Sequence, residues 1–306
     1  MDVTREQLFD RHRGLVFTIA YDITGQVTEA EDVTQETYLR WRTADADVRD
    51  GRAYLAAIAA NLARNALRTT ARRREDYVGG WLPEPLATGP SADASPDDPE
   101  QSAMRVDAVS TALLVVLQSL GDDERVAFLL REVFDFPYGE IAAVLDRSEA
   151  ATRQLVHRAR GRVRGGPPRN AVSPAEHGRV VERFLAAART GDVEALLGLL
   201  APGVTLLVDG GGKARAALRP IVGAERTARF VLGLAEKHGR TSIAVPAELN
   251  GLGAVLFAED DAITTSFQFD VTDGVVQGVF VVRNPDKLRH LQSLSRGPAA
   301  APAPPG

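Results

Sequence analysis

The chain of 306 residues contains no cysteine. Disulfides and thiolate-held metals are thereby excluded, and a reducing compartment is the simplest setting. No apolar run approaches the ~20 residues that a helix needs to cross a bilayer. The opening residues, MDVTREQLFDRHRG, are charged where a secretory signal would carry an apolar stretch. Tyrosine is missing altogether from residues 175–306. Neither a phosphate loop of the usual spacing nor a polymerase-like carboxylate cluster is present. These absences predict a soluble, cytoplasmic protein with no membrane association, no cofactor and no metal.

What is present is charge, unevenly placed. The formal net charge of -5 hides two arginine-rich stretches, Arg64, Arg68, Arg72, Arg73 and Arg74, then Arg153, Arg158, Arg160, Arg162 and Arg164. Acids gather elsewhere, as at Asp93, Asp97, Asp98 and Glu100. For contact with nucleic acid the distribution matters more than the total. The length exceeds what one core usually organises, so two or three domains are expected. Residues 1–78 read as helical, with Leu8, Leu15 and Ile19 on one face of a first helix. Thr28-Glu29-Ala30-Glu31 fits a capping box for a second, and a third runs through Tyr54, Leu55, Ile58, Leu62 and Leu67. Residues 79–104, rich in Gly, Pro, Ser and Asp, read as a linker. A second helical block covers 105–165. From 172 to 293 the pattern changes to helices at about 175–189 and 192–200, an apolar run from Val204 to Val208, a helix near 223–237, and four strand-like segments. Asp273-Gly274 marks a hairpin, and Asn284-Pro285-Asp286 the start of a closing helix. Helices followed by an antiparallel sheet make an α+β domain. The Gly-, Pro- and Ala-rich tail at 294–306 is expected to be disordered.

The segment PYGEIAAVLDRSEAATRQLVHRARGRV, 137–163, reads as a short helix, a tight turn at Leu145-Asp146-Arg147, and a longer helix capped by Ser148. Ile141 and Leu145 can meet Leu155 or Val156 and Ala159 across the turn. This is a helix-turn-helix, whose second helix enters the major groove. Arg153, Gln154 and His157 are then groove-facing, while Arg158, Arg160 and Arg162 suit phosphates. The segment resembles region 4 of the extracytoplasmic-function (ECF) sigma factors, and Leu120 to Phe128 is similar to that family's preceding helix. Asp146 stands where the family usually has Gly, a change that Asp tolerates in a left-handed turn. Arg153-Gln154-Leu155 replaces the usual Lys-Ser-Arg, which implies a different base preference.

AEDVTQETYLRW, 30–41, resembles the polymerase-binding helix of sigma region 2. Asp32, Gln35, Glu36 and Arg40 share one polar face, opposite Val33, Thr37 and Trp41. RAYLAAIAANLARNALRTTARRRE, 52–75, is similar to the helix that recognises the minus-ten element. The resemblance implies a base-capturing pocket in loop 43–51, with Asn61 and Arg64 nearest the DNA and Arg68, Arg72 and Arg73 along the phosphates. Asn61 fits an ordinary exposed helix position equally well.

The C-terminal half resembles SnoaL-like, ketosteroid-isomerase-like cones. Trp81-Leu82-Pro83-Glu84-Pro85, Asp209-Gly210-Gly211-Gly212-Lys213 and Asn284-Pro285-Asp286-Lys287-Leu288 together resemble the signature of ECF sigma factors carrying such a domain. The resemblance implies an interdomain, regulatory role for these three motifs, with packing against the sigma regions. The domain reads as non-enzymatic: it lacks a tyrosine donor, His177, His238 and His290 fall at helix positions expected to be exposed, and Asp209, the best carboxylate candidate, fits a turn. The partners implied are core RNA polymerase and promoter DNA, with room for an unknown small ligand in the C-terminal cavity. Two other readings stand beside this one, a ligand-sensing helix-turn-helix regulator that is not a sigma subunit, and an isomerase or cyclase with a DNA-binding appendage. Segments 30–41 and 52–75 discriminate, because neither alternative needs them.

Overall fold

The computed structural model describes residues 5–44, 48, 50–75, 77–89, 109–164, 172–239 and 241–296. The chain divides into two compact units, Met1–Tyr77 with Pro96–Pro168, and Val78–Ser95 with Arg169–Gly306.

The first unit is all helix: α1 (Arg5–Thr24), α2 (Val27–Arg42), α3 (Gly51–Glu75), α4 (Thr111–Leu117), α5 (Asp122–Glu132), α6 (Tyr138–Leu145) and α7 (Glu149–Arg164). The core stripe of α1 is Phe9, Val16, Ile19, Ala20 and Ile23. Leu8 and Leu15, the residues that periodicity pointed to beside Ile19, are only half-buried. The expected capping box at Thr28 does not form. Gly25, with φ of 70°, ends α1 by donating to the Tyr21 carbonyl, so the turn is over before Thr28 is reached. Gln26 becomes the N-cap of α2, without a side-chain hydrogen bond. In the helix-turn-helix, Asp146 adopts φ 53° and ψ 53° and closes α6. The Ser148 hydroxyl accepts from Ala151 N at 3.2 Å. Ile141, Leu145, Leu155, Val156 and Ala159 are buried together, as the alternation of faces predicted.

Polar tethers run from α1 to the second helical block. Asp22 Oδ1 accepts from Val109 N at 3.4 Å, and the buried Arg125 donates to the Asp22 carbonyl at 3.0 Å. Burial raises the Asp22 carboxyl well above the usual carboxylate range, against the lowering effects of the Val109 N–H and the Arg125 charge.

The second unit is a cone of helices on a curved sheet. Helices α8 (Pro174–Thr190), α9 (Val193–Leu199) and α10 (Ala224–His238) pack with strands β1 (Leu200–Asp209), β2 (Ile221–Val222), β3 (Ile243–Leu249), β4 (Leu252–Glu259), β5 (Ala262–Thr272) and β6 (Val275–Val282). Strand order is β2-β1-β6-β5-β4-β3. The sheet is mixed rather than antiparallel, because β1 lies parallel to β6. Such a pair joins segments far apart in sequence, which local alternation does not reveal. Asp273 and Gly274, both at positive φ, make the expected β5–β6 hairpin. The closing segment Pro285–Arg296 is a 3-10 helix, and its buried Leu288 and Leu291 recur at the i, i+3 spacing of that geometry. Phe184, Leu196, Val204, Val231, Phe267 and Phe269 belong to one apolar core, with Phe184 and Phe269 edge to face at 5.1 Å.

His177 is buried, contrary to expectation, at 1% exposure. Its Nε2 lies 3.1 Å from the Phe269 carbonyl, and desolvation lowers its pKa against that bond and the Asp270 charge. His238 and His290 are half-buried.

The buried Asp22 generates a prediction. Because its folded pKa lies above the unfolded value of ~3.9, the folded state binds the extra proton. Stability must therefore fall as pH rises from about 4 toward the folded pKa. Asp22→Asn keeps the acceptor for Val109 N and removes the buried charge. At pH 7 it should slow hydrogen exchange of the 5–24 amides relative to the parent chain, the difference closing near pH 4. Faster exchange in the variant at pH 7 would contradict the assignment.

Candidate DNA-contacting surface and linker-binding site

On α2, Asp32, Gln35 and Arg40 are exposed and Glu36 half-exposed, while Val33, Thr37 and Trp41 are buried, as the helical spacing required. Glu36 and Arg40 pair at 2.7 Å. Gln35 also lines a groove of about 520 Å³ between α1 and α2, with Phe9, Phe17 and Tyr38.

On α3, Asn61 donates back to the Ala57 carbonyl at 3.0 Å. Arg64 is turned toward α5, with its guanidinium 2.6 Å from Asp123 and only 14% of its side chain exposed. Arg68 lies 3.5 Å from the same carboxylate and 3.9 Å from Asp122. The side chains of Arg72 and Arg73, and residues 45–47 and 49 of the proposed pocket loop, lie outside the described residues. From the helix-turn-helix side, Arg147 reaches Asp123 at 2.6 Å. Burial by itself would raise the Asp123 carboxyl, but the hydrogen bonds from Arg147 and Arg64 outweigh it, and the net shift is downward. Asp123 thus joins α3 to the turn of the helix-turn-helix. Sequence reading passed it over because an acid in the first turn of a helix is already explained by the helix dipole.

Along α7, Arg153, Gln154, His157 and Arg158 are exposed and Arg160 half-buried. Arg158 and Arg162 both bind Glu124, at 3.0 Å and 2.7 Å, and Arg160 binds Glu132 at 2.6 Å. Ser148 serves as the helix cap.

The three short motifs of the second unit converge on one place. Asp209 is not in a turn: it ends β1 and is 0% exposed. Its backbone carbonyl accepts from Arg283 N and Asn284 N at 2.7 and 3.0 Å. Its carboxylate binds Lys287 at 2.8 Å, where the lysine is 6% exposed. The main chain of Leu82 enters between them, with Leu82 N donating to Asp209 Oδ2 at 2.8 Å and its carbonyl accepting from Lys287 Nζ. The Lys287 ammonium also sits 3.9 Å from the centre of the Trp81 ring. Gly210 must be glycine, since a Cβ there would stand 2.4 Å from the Ala214 carbonyl oxygen. Lys213, just after the glycines, pairs with Asp286, and Asn284 Oδ1 accepts from Asp286 N at 3.1 Å.

The strip continues across the domain. His290 Nε2 lies 2.6 Å from the Pro85 carbonyl, and Leu86 N donates to Asn250 Oδ1 at 3.2 Å. Thr88 N donates to the Glu248 carbonyl at 3.0 Å, and Ala87 bridges antiparallel to Leu249. The strip therefore pairs with the end of β3, an edge strand whose unpaired groups call for such cover. Residues 79–89, read as linker, and Val78, read as the end of the first helical block, are part of the second unit.

Comparison with known proteins bears directly on the helical unit. The family described as Sigma-70 region 2 matches residues 8–73, and Sigma-70, region 4 matches residues 110–163. The chain is 38% identical to the ECF RNA polymerase sigma factor SigJ of Mycobacterium tuberculosis, over 94% of this chain and 97% of that protein. The chain belongs to the ECF sigma factors. It is also 30% identical to the probable ECF sigma factor SigI of the same organism, over 92% of this chain and 94% of the relative. The crystal structure of SigJ superposes with a TM-score of 0.75 at 34% identity, covering 92% of this chain and 97% of that one. As an ECF sigma factor the protein is a non-enzymatic initiation factor for RNA polymerase at promoter DNA. The region 2 match decides against the plain helix-turn-helix regulator. Among the described residues, no helix is long and apolar enough to cross a membrane.

The pair at Leu82 yields a prediction. Lys287→Met removes the cation of a buried ion pair, a change that typically costs about 3–5 kcal/mol. Amides of Leu82 and Leu86 should lose hydrogen-exchange protection in this ECF sigma factor. Adding Asp209→Asn should restore part of it, since the remaining charge of the pair is gone. Unchanged protection in Lys287→Met would show that the pair does not hold the strip.

Proposed function

We propose that this ECF sigma factor is controlled in cis by its C-terminal domain, which regulates the connection between regions 2 and 4. The observation that carries this reading is the capture of residues 78–89. They belong to the connection 76–108, and each captured residue removes up to ~3.4 Å of reach between the two regions. Proline at 83 and 85 lowers the entropy lost on capture.

Promoter reading is assigned to two surfaces. Asn61, Arg64, Arg68, Arg72 and Arg73 serve the minus-ten element. Arg153, Gln154 and His157 read bases of the minus-thirty-five element, with Arg158 and Arg160 on phosphates and Ser148 setting the helix start. Asp32, Gln35, Glu36 and Arg40 form the polymerase-binding face. Elements named for positions ~25 base pairs apart lie about 85 Å apart along duplex DNA. A chain in which Arg64 touches Asp123 cannot serve both at once, so that contact must open when the holoenzyme engages a promoter. The Arg64 guanidinium then exchanges a carboxylate for DNA.

In vitro transcription with core polymerase tests the reading, using the full chain, a chain ending at residue 168, and Lys287→Met, on promoters of graded spacer length. Strip release should change the preferred spacer, and the truncated chain should follow the same profile. Identical spacer profiles in all three would refute control through the linker. Separately, Asp123→Asn should raise promoter binding roughly fivefold, the effect of losing a competing ion pair worth about 1 kcal/mol. Because the Asp123 carboxyl is held low, its pairing is present above pH ~4 and is lost as pH falls through the lowered value. At pH 6 to 8 the parent and Asp123→Asn should therefore differ by a constant factor. A factor that varied across that range would count against the pairing.

A further inference from the structure

We infer that Tyr138 is a positioning residue for promoter reading, its ring holding the Arg153 guanidinium in place on the helix-turn-helix surface. The inference rests on the proposal that Arg153 reads a base, and goes beyond it by naming what fixes that side chain.

Tyr138 is the first residue of α6, half-buried, and Arg153 lies one turn into α7. The turn at Asp146 folds the two helices together, which brings Arg153 Cζ to 4.3 Å from the centre of the Tyr138 ring. Glu149, one turn earlier on α7, binds the same guanidinium at 3.1 Å. The ring is itself fixed from α5, where the Arg131 guanidinium lies 5.1 Å from its centre. Arg131 is held in turn by the Phe136 carbonyl at 3.0 Å and by Asp135 at 3.2 Å. Arg160 is held instead by Glu132, next to Arg131, so the arginine on the Tyr138 ring from α7 is Arg153. With Gln154, His157 and Arg158, the residues Tyr138, Arg153 and Arg160 surround a surface depression of about 420 Å³.

An arginine that is 58% exposed keeps most of its rotamers, and ordering it on a base has an entropic cost. A flat guanidinium over an aromatic face is already ordered, yet its edge donors stay available for bidentate contact with a base. Glu149 occupies one nitrogen only, so the fork is aimed rather than consumed.

The test uses holoenzyme, assembled from core polymerase and the full chain, on promoters carrying each of the four bases at the position Arg153 reads. That position is defined by where Arg153→Ala loses discrimination, expected to be about tenfold. Tyr138→Phe keeps the ring and should keep discrimination. Tyr138→Met keeps apolar bulk without a π face and should lose about threefold, with affinity for non-promoter DNA unchanged. In the Arg153→Ala background Tyr138→Met should cost nothing more, since the ring acts through the arginine. Full discrimination in Tyr138→Met, with Arg153→Ala defective, overturns the positioning role alone. No effect of Arg153→Ala overturns the base-reading assignment beneath it. Should Tyr138→Met fail to fold, the ring-current shift of the Arg153 Nε proton in the parent chain decides: its absence overturns the proposal.

Discussion

Two charges buried against the main chain of one residue, Leu82, hold the strip that precedes region 4 within the second unit. Asp209 and Lys287 are almost sealed from water, a placement that by itself costs several kcal/mol per ion. What makes the pair tolerable is the main chain of Leu82, whose N–H binds the carboxylate and whose carbonyl binds the ammonium. The dependence runs both ways. Without the strip, each charge loses a hydrogen bond to Leu82. Without the charges, Leu82 would bury an unsatisfied donor and acceptor. The charges recognise the backbone of Leu82, and its side chain is fully buried at the same point. Specificity comes from Trp81 over Lys287 and from the ladder-like pairing at Ala87 and Thr88.

A second economy governs the helical unit. Five of its arginines are already engaged by acids on α5: Asp123 takes Arg64 and Arg147, Glu124 takes Arg158 and Arg162, and Glu132 takes Arg160. These pairs orient side chains that would otherwise sample many rotamers. Most are half-exposed, so each is worth little alone. Their effect lies in direction: arginines held by their guanidinium groups present an ordered surface, and on the proposed promoter reading DNA phosphate competes with the acids that hold them.

Local chemistry carried much of this into the sequence itself. The helix-turn-helix was legible because its core spacing, its left-handed Asp146 and its Ser148 cap are all decided within a few residues. The polar face of α2, the helices of the cone, and the hairpin at Asp273-Gly274 were legible for the same reason. The three motifs WLPEP, DGGGK and NPDKL could be picked out one by one through family resemblance. Residue order also determined the placement of arginines in two clusters and the absence of any thiol.

Tertiary structure alone decided what meets what. The parallel pairing of β1 with β6, the burial of His177 and the burial of Asp209 depend on segments separated by most of the domain. Residues 79–89 read as a linker because Gly, Pro and acids lack the periodicity of an element. The partners that order them are Asp209, Asn250, Lys287 and His290, far along the chain. Arg64 is assigned to DNA through family resemblance, and its partner Asp123 comes from another helix. Sequence thus determined each side chain's local conformation and charge. Which of those charges would be neutralised internally followed from the fold, since an ion pair depends on distance in space and not on separation along the chain.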